Sequence, residues 1–286
     1  MFNNIIKILR INHYVKNLVV FVPLIFSLQI FNYDLFLLSV KMFIAFCLSS
    51  STVYIFNDII DIDSDRLHPM KRMRPIANGD ISLKSSWCIL IILLCASIFI
   101  SKFSILGLSM ILSYLILNIL YTFYLKKIQL IDATCIALGF IFRILAGCFV
   151  ISVTPSPLVV LMTFFLSLFF TFTKRTLEFK LNKHIKDCRK SLVGFTEESL
   201  KQLVHSNAIL AIAFYLIYML DKTTIERCGT DLLYISAIPF SLIIYRLLFL
   251  INTAQNDDPM SLFEKDKQIK FLILLYILVF AIIFIV

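Results

Sequence analysis

Nine apolar stretches, near 17–32, 38–57, 87–101, 104–124, 132–153, 156–173, 203–220, 231–251 and 271–286, occupy most of this 286-residue chain. Crossing the hydrocarbon core of a bilayer takes roughly 20 apolar residues in a helix, because lipid offers the backbone no hydrogen-bond partner but itself. The spacing therefore predicts an all-α integral membrane bundle of about nine transmembrane helices, in a single membrane-embedded domain over 1–286. The stretches at 17–32, 87–101 and 271–286 are short; the first suits a re-entrant or tilted segment, and the others need flanking residues. Composition agrees, with 60% hydrophobic and 16% charged residues and a mean hydropathy of +0.92, against about 25% charged in soluble domains.

Orientation follows from the cations. With the N-terminus inside, the segments 1–16, 58–86, 125–131, 174–202 and 252–270 lie on the cytoplasmic side and hold 21 of the 27 Lys and Arg residues. The positive-inside rule then puts every candidate polar site on that face. Topology and attraction to anionic lipid heads account for the net charge of +9, and cations divided among short loops give no nucleic-acid surface. The start Met1–Lys16 lacks a cleavage pattern, so the first span is expected to stay rather than be removed as a signal peptide. Seven cysteines without a CxxC pair read as small hydrophobes, and four histidines form no HxxxH or HExxH pattern that would point to zinc.

One segment breaks the apolar pattern: Tyr54–Pro75 sets Asp58, Asp61, Asp63 and Asp65, then Arg66, Lys71, Arg72 and Arg74, directly against a span. Charges so close to lipid are costly and mark a site. If the second span continues as a helix past Phe56, Asp58, Asp61 and Asp65 share a face at spacings of three and four, with Asn57 beside it. Asp63 falls about 200° from Asp61 at roughly 100° per residue and points away. Three like charges on one face call for a divalent cation, and an all-oxygen ligand set suits Mg²⁺, or Mn²⁺, bound together with substrate phosphate. The implied ligand is a diphosphate. The cationic run that follows, stiffened by Pro69 and Pro75, suits phosphate oxygens not held by metal. The plainer reading, Asp and Arg pairing in a solvated loop, is the commonest fate of such a run.

Asn57, Asp58, Asp61 and Asp65 spell NDxxDxxxD, and the chain here resembles the UbiA-type intramembrane prenyltransferase superfamily, whose fold has nine helices. Within it the chain is most similar to the bacterial polyprenyl-phosphate phosphoribosyltransferases of the decaprenyl-phosphate type. Tyr14–Leu18, Asp65–Pro69 with Lys71–Ile76, Leu138–Gly147, and Lys174-Arg175 with Glu178 carry that narrower likeness. The resemblance implies transfer of 5-phosphoribose from phosphoribosyl diphosphate to a polyprenyl phosphate, releasing diphosphate. It assigns Asn57, Asp58, Asp61 and Asp65 to the metal. It leaves Lys16, Arg66, Lys71, Arg72, Arg74, Lys126, Arg143, Lys174 and Arg175, with Asn57, as the pool of substrate-binding residues. Members that prenylate aromatic acceptors carry a second DxxxD motif, whereas Tyr124–Asp132 offers Asp132 alone, with nothing acidic at 128 or 136. Prenyl transfer to such an acceptor is the alternative; a non-enzymatic transporter is disfavoured by charges at one face rather than the midplane.

Two arginines lie inside spans. Arg143 is open to phosphate binding or to a structural pairing, Asp132 being one candidate partner, and Arg246 has none assigned. Gly139 and Gly147 suit close helix packing. Lys174–Lys201 mixes apolar residues with eight cations and suits an interfacial helix or lid, and Thr196 before Glu197 and Glu198 reads as a helix N-cap.

Overall fold

The structure, a computed structural model, describes residues 2–68, 70–181, 190–253 and 266–285. Every described element is helical: α1 (Phe2–Leu9), a 3-10 segment (Ile11–Phe21), α2 (Val22–Phe26), α3 (Tyr33–Ile60), α4 (Ile62–Leu67), α5 (Leu83–Ser101), α6 (Ile105–Phe123), α7 (Ile131–Val150), α8 (Pro157–Leu181), α9 (Glu197–Met219), α10 (Lys222–Cys228), α11 (Ala237–Thr253) and α12 (Lys267–Ile285), with short 3-10 turns between some of them. Among them, 33–60, 83–101, 105–123, 131–150, 157–180, 197–219 and the stretch 232–251 are long and apolar enough to cross a membrane. The nineteen residues of α12 form a further apolar helix. The chain is thus an all-helical, multi-pass membrane protein with seven such spans among its described residues, so the expected count of nine is not reached as nine continuous helices.

The expected first span, 17–32, is where the difference lies. Asn17 is fully buried and its amide binds other side chains, Pro23 enters α2 without an N–H, and Leu28 takes a left-handed φ of 59°. The apolar helical run here covers only 11–26, part of it 3-10, and the left-handed Leu28 lies beyond its end.

The described chain divides into two compact units: residues 1–123 with 142–154, and residues 124–141 with 155–286. The first is built around α3. Its 28 residues run about 42 Å at 1.5 Å each, longer than the roughly 30 Å hydrocarbon core, so its C-terminal end can carry carboxylates into the polar layer. Asn32 caps the other end, accepting from the Leu35 N–H at 3.3 Å. Ser49, Ser50 and Ser51 fan out at about 100° per residue to three neighbours. Ser49 shares a hydrogen bond with Ser97 of α5 (2.6 Å), Ser50 donates to Asn17 (3.3 Å), and Ser51 donates to the Leu9 carbonyl (2.8 Å). Buried hydroxyls of this kind join helices where lipid provides no hydrophobic drive between them. Val20, Leu24, Met42, Phe46, Ile111 and Val150 fill the core beside them.

Gly147 of α7 lets the 3-10 segment approach closely, since a Cβ there would meet the Val20 carbonyl and Pro23. Gly147→Ala is expected to cost about 1–3 kcal/mol, the usual penalty of overpacking against unyielding atoms. Thermal melting of the detergent-solubilised protein tests this, and an unchanged melting temperature would rule the contact out as a constraint.

In the second unit Phe169, Phe172, Leu177, Leu200, Val204, Leu247 and Ile269 form the core. Thr196 caps α9 as expected, reciprocally with Ser199: its hydroxyl accepts from the Ser199 N–H at 3.1 Å while its own N–H donates to Ser199 Oγ at 2.9 Å. Of the segment 174–201, expected as an interfacial helix or lid, the two ends belong to long helices. Residues 174–181 are the last turns of α8, with Arg175, Thr176 and Leu177 buried inside the unit; the middle of the segment, with Ile185, lies outside the described residues, as does Pro69.

Arg246, for which the sequence offered no partner, pairs with Asp266, donating from Nη2 at 2.8 Å and from Nε at 3.4 Å. Asp266 also accepts from the Ile269 N–H and so caps α12. The Arg246 hydrogen bond holds the Asp266 carboxyl below its ordinary value, against a smaller upward pull from burial. A depressed folded-state pKa adds stability above the unfolded value of about 3.9 and loses it as pH falls further. Asp266→Asn should therefore flatten the acid limb of a melting-temperature profile, and an unaltered limb would exclude the pair as its source.

Candidate functional site

Asp58 lies in the last turn of α3, Asp61 at the joint and Asp65 on α4. The joint at Asp61 (φ −90°, ψ 9°) ends α3 formally, yet Asp61 N–H still donates to Asn57 O (2.9 Å) and Asp65 N–H to Asp61 O (2.8 Å). Helical register thus survives the break, as the sequence spacing requires. Asp58 and Asp65 are buried and Asp61 half-buried, whereas Asp63 is turned to solvent in a loose 3.8 Å contact with Arg66. Asn57 accepts a short hydrogen bond from Thr122 of α6, which fixes its amide beside the acidic face.

The positive charge on this face comes from two arginines. Arg74 Nη1 donates to both Asp58 Oδ1 (3.0 Å) and Asp65 Oδ2 (2.5 Å), and Arg10 Nη2 donates to Asp58 Oδ1 at 2.6 Å. Arg74 is held there by the loop after it. Ile76 and Ile81 are buried against Ile8, Ile55 and Ile59. The loop closes through Asn78 N–H to Arg74 O (2.9 Å) and Ile81 N–H to Pro75 O (3.0 Å), with a left-handed turn at Gly79 (φ 88°) that favours glycine. Arg66 Nε ties α4 to this loop through the Ala77 carbonyl at 3.1 Å.

The remaining candidates are spread over both units. In the first, Lys16 and Lys71 are half-exposed and Arg72 exposed. Arg143 is buried in the same unit, donating to Asn17 Oδ1 (2.7 Å) and Ser50 Oγ (3.3 Å) with its guanidinium 4.7 Å over the Tyr114 ring. Asp132, the partner considered for it from the sequence, pairs with Arg175.

In the second unit Lys126 sits half-exposed on a 3-10 turn and Lys174 half-exposed on α8. Arg175, expected to face a phosphate at the membrane exit, is instead buried between carboxylates: Nη2 to Asp132 (3.1 Å) and Nη1 to Glu178 (3.1 Å). Ser191 donates a further bond to Asp132 at 2.9 Å. The acidic partner that Asp132 lacks at 128 and 136 thus arrives from α8, three residues beyond Arg175 and on the same helix face. Each unit therefore holds two carboxylates bridged by one guanidinium.

Among the described residues, no three His, Cys, Asp or Glu side chains stand together as a ready metal site, because Arg74 lies between two of the proposed ligands. The donor set still fits a hard divalent cation. Asn57, Asp58, Asp61 and Asp65 offer oxygen only, and Asp58 and Asp65 already converge on one positive nitrogen, where a shared cation would have to lie. The residues missed in the sequence are Arg10, Thr122 and Ser191. Arg10 carried one signal, a cation seven residues before the expected first span; the hydroxyls carried none.

Seven long apolar helices with a carboxylate-rich helix end beside a basic loop define a multi-pass membrane protein with a polar site at a helix terminus. The chain belongs to the UbiA prenyltransferase family, whose profile matches residues 20–276, and it is a transferase. It is 30% identical to a decaprenyl-phosphate phosphoribosyltransferase of Corynebacterium glutamicum over 96% of this chain and 85% of that one. To the enzyme of the same name from Mycolicibacterium smegmatis it is 28% identical, covering 96% and 90%. Among solved structures, a UbiA homolog from Archaeoglobus fulgidus bound to DMAPP and Mg²⁺ superposes with a TM-score of 0.75 over 98% of this chain and 99% of that one. At 18% identity that likeness shows the fold.

Proposed function

We propose that this protein transfers 5-phosphoribose from phosphoribosyl diphosphate to a polyprenyl phosphate, releasing diphosphate, as a single transferase domain in the bacterial cytoplasmic membrane with its N-terminus and acidic site facing the cytoplasm. The observation that carries the reading is the convergence of Asp58 and Asp65 on one cationic centre at the end of α3, beside a basic loop. The family profile running across both units supports one domain, and the phosphoribosyltransferases matched along nearly the whole chain support the donor and acceptor.

In this reading Asn57, Asp58, Asp61 and Asp65 would hold Mg²⁺, with Mn²⁺ as a substitute, and the bound ion would offset charge growing on the leaving diphosphate. Arg74 and Arg10, now paired with Asp58, would turn donors toward phosphate oxygens, and Lys71, Arg72, Lys126 and Lys174 supply further charge for the separate phosphates of donor and acceptor. Lys16 and Arg66 stay in that pool. Arg143 and Arg175 act from behind, holding the 3-10 segment and the α8 end in place. The C1–O bond to diphosphate breaks as a lipid-phosphate oxygen bonds C1. A phosphate monoester is already largely ionised near pH 7, so orientation beside C1 matters more than a general base.

The test is to incubate membranes containing the protein with Mg²⁺, phosphoribosyl diphosphate labelled in the ribose, and a polyprenyl phosphate. Label in the lipid phase, absent with Asp58→Asn, is the expected result. No label, with a prenyl diphosphate instead prenylating an aromatic acceptor, would move the protein to the other branch of its family.

A further inference from the structure

A second polar feature lies next to the acidic site. The segment Ile6–His13 lines a shallow cleft of about 270 Å³ whose walls are Ile6, Lys7, Arg10, Ile11, Asn12 and His13. Lys7 and Arg10 bring two cations, His13 a third group able to take a proton, Asn12 an amide, and none of the six is acidic. Sites that enclose a drug-sized ligand run to roughly 300–1,000 Å³, so this one suits a headgroup rather than a whole substrate.

Two of its polar side chains stand against one ring. The Arg10 guanidinium lies 4.8 Å over the Tyr54 ring, and the His13 ring centroid is 5.5 Å from the same ring. Tyr54 precedes Asp58 by four residues on α3, so platform and carboxylate share a helix face. Arg10 spans both, with Nη2 on Asp58 at 2.6 Å. Its backbone is held at φ 52°, ψ 49° between α1 and the 3-10 segment, a left-handed conformation that a non-glycine residue adopts at a cost. That turn is what aims the side chain at α3. A guanidinium carries five N–H donors, so the bond to Asp58 leaves capacity for an oxyanion in the cleft.

We propose that the cleft formed by Lys7, Arg10, Asn12 and His13 binds a phosphate monoester, with Arg10 joining it to the Asp58 end of the acidic site. The proposal rests on the transferase reading for its ligand class: the 5′-phosphate of the donor and the phosphate of the lipid acceptor are both monoesters, and the cleft takes one of them. The experiment titrates the full chain in detergent with ribose 5-phosphate and, separately, with farnesyl phosphate, following binding by calorimetry without turnover. Lys7→Gln, at an exposed position, leaves the fold intact, and Arg10→Lys keeps the charge while losing the fork that reaches Asp58.

The expected result is that each variant weakens one probe by about tenfold, the scale of a charge-assisted hydrogen bond. Loss of ribose 5-phosphate binding assigns the cleft to the donor, and loss of farnesyl phosphate binding assigns it to the acceptor. Wild-type affinity for both probes in Lys7→Gln, or no binding of either by the wild-type chain, overturns the proposal. A wild-type chain that fails to transfer phosphoribose yet binds a probe in a Lys7-dependent way would remove the donor assignment and leave the cleft standing.

Discussion

Asp58→Asn is expected to reduce phosphoribosyl transfer by at least about 100-fold, the scale seen when a group that stabilises developing charge is removed. The substitution keeps the shape of the side chain and removes the charge that would bind metal. It also removes the acceptor for Arg10 and Arg74, whose side chains are 23% and 29% exposed against 3% for Asp58. Both arginines can therefore recover water, and Arg74 keeps Asp65. The fold should lose less than the roughly 3–5 kcal/mol typical when one partner of a fully buried pair is deleted. The measurement is transfer of label into the lipid phase alongside a melting curve. Near-wild-type turnover in a folded protein would remove the metal assignment at Asp58.

The largest stability effect belongs to the other unit. Arg175 is 3% exposed, with Asp132 at 6% and Glu178 at 13%, so its charge has no route to water when a partner is lost. Asp132→Asn should cost the full 3–5 kcal/mol or so, read as a drop in melting temperature in detergent. Arg175→Gln takes the shared cation from both carboxylates and should cost as much, while the double variant, with one carboxylate fewer at the site, should cost less than the sum of the singles, since contacting partners do not act additively. Equal destabilisation by the double variant and by the sum of the singles would show that the three groups do not act as a unit. Arg175 was expected from its place at the membrane exit to meet a phosphate. Its burial between two carboxylates gives it a structural role, and leaves Lys174, half-exposed one residue earlier, as the cation available at that helix end.

What could be read from the residues depended on the range of the interaction. Helix spans were legible because an apolar run near 20 residues has few other places to go. The face shared by Asp58, Asp61 and Asp65, and the outward turn of Asp63, followed from helical spacing alone, and hydrogen bonds through the Asp61 joint preserve that spacing. The Thr196 cap was equally local. The first span was the exception: its apolar helical run covers only 11–26 and ends before the left-handed Leu28, which a window of apolar residues does not register.

By itself, then, the sequence determined the membrane-spanning character of the chain, the acidic helix end and the basic loop beside it, because each is a matter of neighbours in the chain or of helical period. Only the tertiary structure decided which cation meets which carboxylate. Arg10 reaches Asp58 across 48 residues, Arg143 reaches Asn17 across 126, and Arg175 gathers Asp132 from 43 residues away. A charge inside a membrane protein must find a partner, and chain order does not limit where that partner comes from.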